Sequence, residues 1–299
     1  MEGRYSRKKF RSWSVLCSAN ERTILWAQGG AGISMSIFDL AYEVPIIERE
    51  VYAGSYRSIP FDATDPRRNE PLVRLESVGV AYEAHHARTD GRNWPYLGPV
   101  SGARKDVWLR ETVARMLAKV NDRLKSFGVE LIVWDGYRPL ACQQGMWDFF
   151  YREAVRMTPE GTPTDWRAQA LRHAVDPSDF DEDNPATWPT HATGAAVDLS
   201  LRDRDSGNYC DLGGRFEDIN DLAAMDYFER RLAAGVIGGD DTRLRYRRLL
   251  HWAMSSEGFE NDPFTFWHYD WGNQLYVKMT RALREKPAKA AWYGYIAPP

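Results

Sequence analysis

Residues 191–198 read His-Ala-Thr-Gly-Ala-Ala-Val-Asp, and Leu-Ser-Leu follows. The apolar run over 195–201 predicts a buried strand, which would carry the carboxylate of Asp198 into the core. A buried charge without a partner is costly, and a bound metal ion would remove that cost. With His268 far downstream, His191 and Asp198 make up the ligand set of many catalytic zinc sites: two imidazoles and one carboxylate, with water in the fourth position.

The same residues also admit a purely structural interpretation. In it, His191 is a loop histidine, and Asp198 caps an element or forms a salt bridge. A His and an Asp seven positions apart are not a self-sufficient metal signature of the kind that His-Glu-x-x-His is, so the spacing alone leaves both interpretations open. Two histidines and one carboxylate also hold iron in non-haem oxygenases. Those enzymes generally place the acid two residues after the first histidine, so Fe²⁺ is the alternative that ranks below Zn²⁺.

The composition predicts a folded protein without a nucleic-acid or membrane partner. The 299 residues are 43% hydrophobic and include 12 tryptophans, which excludes disorder for most of the chain. The net charge of −3 gives no general attraction to nucleic acid. No apolar run reaches the roughly 20 residues that span a bilayer, and the basic start at 4–11 is not followed by a signal-peptide core. Three widely spaced cysteines predict no disulfide framework and a cytoplasmic location.

Helical and strand-like periodicities alternate along the chain. They predict helices over 105–127, 140–157, 164–175, 219–234 and 241–256, and strands over 130–135, 195–201 and 264–273, with an edge strand within 73–83. Because these elements form one intermixed set, we predict a single α+β domain, residues 55–299, with a small, mainly antiparallel sheet flanked by helices. Residues 1–54, with a glycine cluster at 29–32, are predicted to be an N-terminal extension.

The patterns also assign positions to several titratable side chains. His85 and His86 are adjacent and on a strand would point to opposite faces, so at most one can join a site; we expect both at the surface. The arginines of 241–256 are expected on the outer face of their helix. The strand 130–135 ends abruptly in Asp-Gly-Tyr-Arg-Pro, because proline stops the ladder and glycine permits a tight turn. Arg138 then either lies at the lip of a crevice or serves as a structural partner of Asp135.

Three stretches together resemble the D-alanyl-D-alanine dipeptidase family of zinc peptidases, which includes the vancomycin-resistance dipeptidase. The family motif D-x-Y-R-P corresponds to residues 135–139, and S-x-H-x-x-G-x-A-x-D corresponds to 189–198. The final motif, G-F followed by E-W-W-H-Y and G-N, corresponds to 258–259, 265–269 and 272–273. The order and separations fit, and the resemblance extends over roughly residues 55–280.

This resemblance implies a dipeptidase-like zinc fold and a role for each matching residue. It implies that His191, Asp198 and His268 are the zinc ligands. It implies that Arg138 stabilises the oxyanion that forms during attack on the amide, since a fixed positive charge there meets the developing negative charge. Zinc would lower the pKa of its water to about 7 and polarise the carbonyl. Thr190 and Tyr137 lie in these motifs, and Glu217 ends residues 212–217, which correspond to the family's M-G-x-x-F-D. The resemblance makes these three the predicted substrate-binding residues.

Three positions depart from the family pattern. Thr265 stands where the family has its catalytic glutamate, which transfers the proton from water to the leaving amine; a threonine hydroxyl does not titrate near neutrality and cannot do this. Pro189 replaces a serine and removes a hydrogen-bond donor. Glu217 replaces an aspartate that, in the family, helps to hold the free ammonium of the substrate, and it places the charge on a longer arm. The metal ligands and Arg138 are retained.

A substitute base is conceivable among the acidic residues near His268. Asp270 is the best local candidate, because it falls on the same strand face two residues after His268. Its alternative role, which we favour, is to orient the ligand histidine. The other acidic residues nearby are Glu257, Glu260 and Asp262.

Three functional hypotheses follow from these residues. The first is a zinc-dependent hydrolase acting on a small dipeptide or amino-acid-derived amide, with an altered base or substrate. The second is a repurposed, non-hydrolytic metalloenzyme that uses iron. The third is a catalytically inactive homologue that still binds dipeptides. Each has a small molecule or dipeptide as its partner, and a homodimer is left open.

Overall fold

The buried strand that carries Asp198 lies in the middle of a five-stranded sheet. The sheet is seen in a computed structural model of the protein, which describes residues 35–52 and 54–299. The described strands are β1 (Leu72–Arg74), β2 (Ala81–Tyr82), β3 (Trp108–Arg110), β4 (Val129–Asp135), β5 (Ala196–Asp203), β6 (Glu260–Asn261) and β7 (His268–Asp270). The described α-helices are α1 (Glu111–Leu124), α2 (Leu140–Met157), α3 (Pro163–Ala170), α4 (Tyr227–Ala233), α5 (Thr242–Ser256) and α6 (Gln274–Leu283).

The strand order confirms the predicted fold class. In the main sheet the order is β2-β4-β5-β7-β6. β2 runs parallel to β4, and the other neighbouring pairs are antiparallel. β1 and β3 form a separate antiparallel pair. The structure is therefore α+β, with a small, mainly antiparallel sheet and helices around it.

The register of the central strands lines up three polar side chains. Asp198 of β5 pairs with Asp135 at the end of β4 and with His268 at the start of β7. Residues 196–201 of β5 are all buried, so Asp198 is a core carboxylate as its sequence context predicts. Cross-strand neighbours have Cβ atoms only about 4.5–5.5 Å apart, and the sheet thus brings residues distant in sequence into one cluster.

Two of the predicted helices agree with the structure, one in the residues that it buries and the other in its first and last residues. The apolar side chains at helical spacing over 113–127 are all buried, and Gly128 follows with φ 71°, a left-handed conformation that suits glycine. The helix α2 has the predicted bounds. The prediction that the first helix begins at Lys105 is wrong, because Trp108–Arg110 pairs with β1 and α1 begins at Glu111.

Three other predicted elements are shorter than the sequence pattern indicates. The helix predicted over 164–175 is α3, which has Thr162 as its N-cap and ends at Ala170. In 219–234 only Tyr227–Ala233 is α-helical. In 264–273 only His268–Asp270 is a strand. Before it, the Asn261 side chain donates to the carbonyls of Thr265 and His268 and so closes a loop.

The arginines of α5 correct another expectation. Arg247 is fully buried and Arg248 is 7% exposed, so they do not lie on an outer face. The Arg247 guanidinium donates to the carbonyls of Leu212 and Leu222, and also to that of Ala224. It thereby anchors both ends of the segment 212–222, which carries Glu217.

Both chain ends that the structure describes pack on this body. Val44 is buried, and its backbone N–H donates to Glu229. The aromatic tail is also buried at Trp292 and Tyr293. The glycine cluster at 29–32 lies outside the described residues, and the division at residue 54 stays a prediction. Over 35–52 and 54–299, no helix combines the length and apolarity needed to cross a membrane.

Candidate metal centre

The three predicted ligand side chains converge in the core. His191 Nε2 lies 3.3 Å from Asp198 Oδ2, His268 Nδ1 lies 2.9 Å from Asp198 Oδ1, and the two ring nitrogens are 3.2 Å apart. All three residues are at most 9% exposed. Among the described residues, His191, Asp198 and His268 form the group of metal-ligating side chains in which all donor atoms lie within 4.8 Å of one another.

The outer nitrogens of the two histidines fix which inner nitrogen can bind a metal. His191 Nδ1 lies 2.8 Å from the carbonyl of Gly136, which can only accept a hydrogen bond. His268 Nε2 lies 3.1 Å from the carboxylate of Asp270. Protons on these outer nitrogens leave the inner nitrogens with lone pairs. Two lone pairs and the Asp198 carboxylate then face one another at the centre of the cluster.

Such a cluster requires a cation. Burial disfavours the imidazolium of His268, but the carboxylates of Asp270 and Asp198 outweigh burial and raise the pKa of His268 well above its usual value. Burial likewise opposes ionisation of Asp198, but His191 and His268 hold the pKa of Asp198 well below its usual range. A proton on His268 meets this requirement, and a metal ion meets it equally well.

The donor set and its spacing fit zinc. Zinc bonds nitrogen and oxygen at about 2.0–2.2 Å with tetrahedral geometry, which separates neighbouring donors by roughly 3.3–3.6 Å. The observed separations of 2.9–3.3 Å need only a small expansion to reach this range. The carboxylate behind His268 and the carbonyl behind His191 are the kind of partners that orient ligand histidines in metal sites.

Arg138 lies next to the three converging side chains. It borders the site and also pairs with Asp135, so each of its two predicted roles is partly observed. Its Nε donates to Asp135 at 2.7 Å, and its Nη2 lies 3.5 Å from Asp198 Oδ2. Gln143 accepts a further hydrogen bond from Nη1. Burial opposes the guanidinium, but Asp135 and Asp198 outweigh it and raise the pKa of Arg138 above its usual value. The arginine is therefore a fixed positive charge beside the ligands, held in place by Asp135.

His86 belongs to the same polar cluster, which the sequence analysis missed. Its Nε2 lies 3.0 Å from Glu217 Oε1, and its Nδ1 lies 3.4 Å from Asp135 Oδ2. The expectation that His85 and His86 lie at the surface is wrong, because they are 7% and 3% exposed. His85 faces away from these carboxylates and contacts the carbonyl of Trp94. Only one of the adjacent pair joins the site, although the two residues lie in a 3-10 helix, His85–Ala87, and not on a strand.

Thr265 and Asp262 face each other in the loop before His268. The Thr265 hydroxyl lies 3.4 Å from Asp262 Oδ2. Asp262 Oδ1 accepts a hydrogen bond from the backbone of Phe264. Burial raises the pKa of Asp262, and the nearby His268 opposes that shift. A carboxylate is thus present within one side-chain length of the position where the family has glutamate.

The remaining predicted site residues lie close by. Asp270 is fully buried, faces His268 with Oδ2, and accepts a hydrogen bond from Asn273 with Oδ1. Thr190 begins the short 3-10 helix that ends at Thr193 and carries His191. The Tyr137 hydroxyl donates to the carbonyl of Ile296 in the tail. Asp270 therefore has the geometry of a residue that orients a histidine, whereas Tyr137 bonds to the chain itself.

Comparison with known proteins places the chain in a family. The sequence model of the D-ala-D-ala dipeptidase family matches residues 100–285, which include His191, Asp198 and His268. The chain belongs to the D-Ala-D-Ala dipeptidase family. Its members are peptidases, so the protein is an enzyme of the hydrolase class, as the motifs predict.

Two D-alanyl-D-alanine dipeptidases agree with this assignment. A D-alanyl-D-alanine dipeptidase of Synechocystis is 31% identical over 76% of this chain and 92% of the relative. One of Enterococcus faecalis is 26% identical over 64% of this chain and 85% of the relative. Among solved structures, the vancomycin-resistance D,D-pentapeptidase VanY in complex with Zn(II) aligns with a TM-score of 0.34 and 15% identity, over 61% of this chain and 83% of that one.

Proposed function

We propose that the protein is a zinc-dependent hydrolase that cleaves the amide bond of a small dipeptide or amino-acid-derived amide. The observation that carries this proposal is the convergence of His191, Asp198 and His268, with the outer nitrogens of both histidines facing acceptors. Membership in a peptidase family favours hydrolysis over oxygen chemistry, and zinc over iron. The cytoplasmic location and a homodimer stay predictions.

Bound zinc would supply a Lewis acid that polarises the substrate carbonyl and lowers the pKa of water. Arg138 would add a second positive charge beside the same carbonyl oxygen, where negative charge develops during attack. The hydrogen bond from Arg138 to Asp135 keeps the guanidinium in position. Because Asp135 lies next to Asp198 in the sheet, the same three strands position Arg138, Asp198 and His268. His191 comes from the 3-10 helix just before β5.

Proton transfer needs a group that Thr265 cannot provide. We assign it to Asp262, whose Oδ2 lies 3.4 Å from the Thr265 hydroxyl. A glutamate at position 265 would place its carboxylate about two bonds beyond Cγ, and the Asp262 carboxylate lies within a comparable reach of the Thr265 side chain. A raised pKa brings a carboxylic acid closer to neutrality and suits it to exchange protons there, and burial raises the pKa of Asp262.

Metal analysis combined with a substrate panel tests the proposal. We expect one zinc per chain, hydrolysis of at least one member of a panel of D- and L-dipeptides, and loss of both zinc and turnover in His268→Ala. His173→Ala is the matched control, because His173 is an exposed histidine outside the cluster. Full zinc loading without turnover of any amide would instead support the dipeptide-binding homologue, which the threonine at position 265 favours.

A further inference from the structure

The carboxylates around the metal centre each face a basic side chain of this chain. Asp198 faces both ligand histidines, Asp135 binds Arg138, and Asp270 faces His268. Glu217 is the carboxylate at the far end of this series, and its cation is His86. The pair is buried, with the His86 and Glu217 side chains 4% and 8% exposed.

The geometry around His86 shows which charge it carries. Both ring nitrogens face carboxylates, Glu217 at 3.0 Å and Asp135 at 3.4 Å. A neutral imidazole has only one N–H, so it can donate to one of the two and would turn a lone pair towards the other. His86 satisfies both carboxylates only as an imidazolium.

The other groups around His86 leave this charge in place. The groups that face it are Asp135, Glu217, Arg138, His85 and Tyr96. Burial opposes the imidazolium, and Arg138 opposes it too. Asp135 and Glu217 outweigh them and raise the pKa of His86 to about 9. Burial lowers the pKa of His85 to about 4, and the charge on His86 adds to that effect.

The backbone shows that the pairing is built into the fold. Glu217 has φ 67°, a left-handed conformation that costs free energy for a residue with a Cβ and persists where its surroundings impose it. The segment that carries it is anchored by Arg247 at Leu212 and Leu222. His86 is fixed from the other side by the sheet, because β2 just before it pairs with β4.

We propose that His86 neutralises Glu217 from within the protein, so that the hydrolase acts on substrates whose amino end carries no free ammonium, such as N-acylated dipeptides or amides. This inference rests on the proposed function. A free ammonium brought to Glu217 would meet the imidazolium of His86 at short range, and like charges repel. An acylated nitrogen brings no charge and leaves the pair intact.

The test compares N-acetylated and free-amine forms of the same dipeptides on the zinc-loaded enzyme. We expect wild type to have the higher kcat/KM for the N-acetylated form. In His86→Gln, which frees Glu217, the ratio should shift towards the free amine by about tenfold or more, the value of one charge-assisted hydrogen bond. His85→Gln is the matched control and should leave the ratio unchanged. A wild-type preference for the free amine, unaltered in His86→Gln, would overturn the proposal.

Two further measurements keep the result decisive. If His86→Gln does not fold, His86→Asn replaces it: the proposal expects the same shift towards the free amine, and an unchanged preference contradicts it. If no panel member is hydrolysed, the proposed function fails. Calorimetry on the zinc-loaded protein then gives the ratio of Kd values for the two forms, and tighter binding of the free amine, or binding of neither form, rejects the inference.

Discussion

The groups around His191 and His268 determine which of their ring nitrogens face the centre of the cluster. His268 has carboxylates at both nitrogens, Asp198 at Nδ1 and Asp270 at Nε2. The inner carboxylate shares the centre with His191, whereas the outer one lies 3.1 Å from Nε2, although not in hydrogen-bond geometry. The same division recurs at His191, where the carbonyl of Gly136 takes the outer position. The donor set is therefore oriented before a metal arrives.

Asp270 should act on metal affinity rather than on proton transfer. We expect Asp270→Asn to weaken zinc binding by roughly 10–100-fold, the usual effect of losing a carboxylate behind a ligand histidine. Competition titration with a chelator measures this. The control is Glu260→Gln, a neighbouring carboxylate that pairs with Arg284 instead. Unchanged zinc affinity together with a large fall in kcat would make Asp270 the base.

Asp262 should act on turnover and leave the metal in place. We expect Asp262→Asn to lower kcat by about 10²–10⁴-fold, the usual contribution of a general base, with zinc content as in wild type. Adding Thr265→Glu to this variant should restore activity, because the glutamate carboxylate reaches the same region. Steady-state kinetics on both variants checks this, and wild-type turnover in Asp262→Asn would remove the residue from the mechanism.

At the scale of elements, the site depends on strand register and on the loops that the helices hold. Asp135, Asp198 and His268 come together because three strands pair at one level. Glu217 comes from a segment without strand pairing, and the helix α5 secures it through Arg247. Burial lowers the pKa of Arg247 to about 9, and three backbone carbonyls solvate its guanidinium.

Removing the Arg247 guanidinium should therefore destabilise the fold. Arg247→Met leaves the carbonyls of Leu212, Leu222 and Ala224 without their donor, and each unsatisfied group costs about 1–3 kcal/mol. We expect a loss of about 3 kcal/mol or more in the free energy of unfolding, measured by urea denaturation. Arg243→Met on the same helix is the control. Its side chain is 43% exposed, and an exposed ion pair contributes about 1 kcal/mol or less.

Local patterns predicted some elements fully and others only in part. The helix predicted over 140–157 is present with those bounds, and the apolar run over 195–201 is largely the strand Ala196–Asp203. The pattern over 264–273 is equally apolar, but the Asn261 side chain holds its first half in a loop. A side chain that hydrogen-bonds to backbone groups across a loop leaves no periodic pattern in the sequence. The apolar pattern of the segment therefore cannot reveal the loop.

The candidate site shows the same limit over longer distances. The convergence of His191, Asp198, His268 and Arg138 could be predicted, because each lies in a motif with family spacing. The role of His86 could not be predicted, because no motif includes His86 and its partner Glu217 is 131 residues away. The burial of Arg247 could not be predicted either, because an arginine at helical spacing indicates an exposed face. Only the tertiary structure shows that its charge is solvated by carbonyls.

Across the whole molecule, charges alternate from Glu217 through His86, Asp135 and Arg138 to Asp198. Such a series couples folding to pH, because several members ionise differently in the folded and unfolded chains. His86 and His85 contribute in opposite directions. The pKa of His86 rises to about 9 on folding, against an ordinary value of 6.5, whereas that of His85 falls to about 4.

The sign of each contribution follows from proton binding. Between pH 6.5 and 9 the folded chain binds the His86 proton and the unfolded chain does not, so stability is fully present below pH 6.5 and is lost as pH rises through 9. The total is about 3 kcal/mol on the scale of 1.4 kcal/mol per pKa unit. For His85 the unfolded chain binds the proton first, so stability is lost as pH falls from 6.5 towards 4.

Two glutamine variants should separate these effects in the free energy of unfolding. In metal-free protein, the difference between wild type and His86→Gln should shrink as pH rises from 6.5 to 9, because wild type loses the stabilisation that the variant never had. The difference between wild type and His85→Gln should instead change below pH 6.5, where wild type loses stability and the variant does not. Urea denaturation at half-unit pH steps measures both. A constant difference for His86→Gln over this range would show that His86 is neutral in the folded protein, and would also remove the charge on which the predicted substrate preference depends.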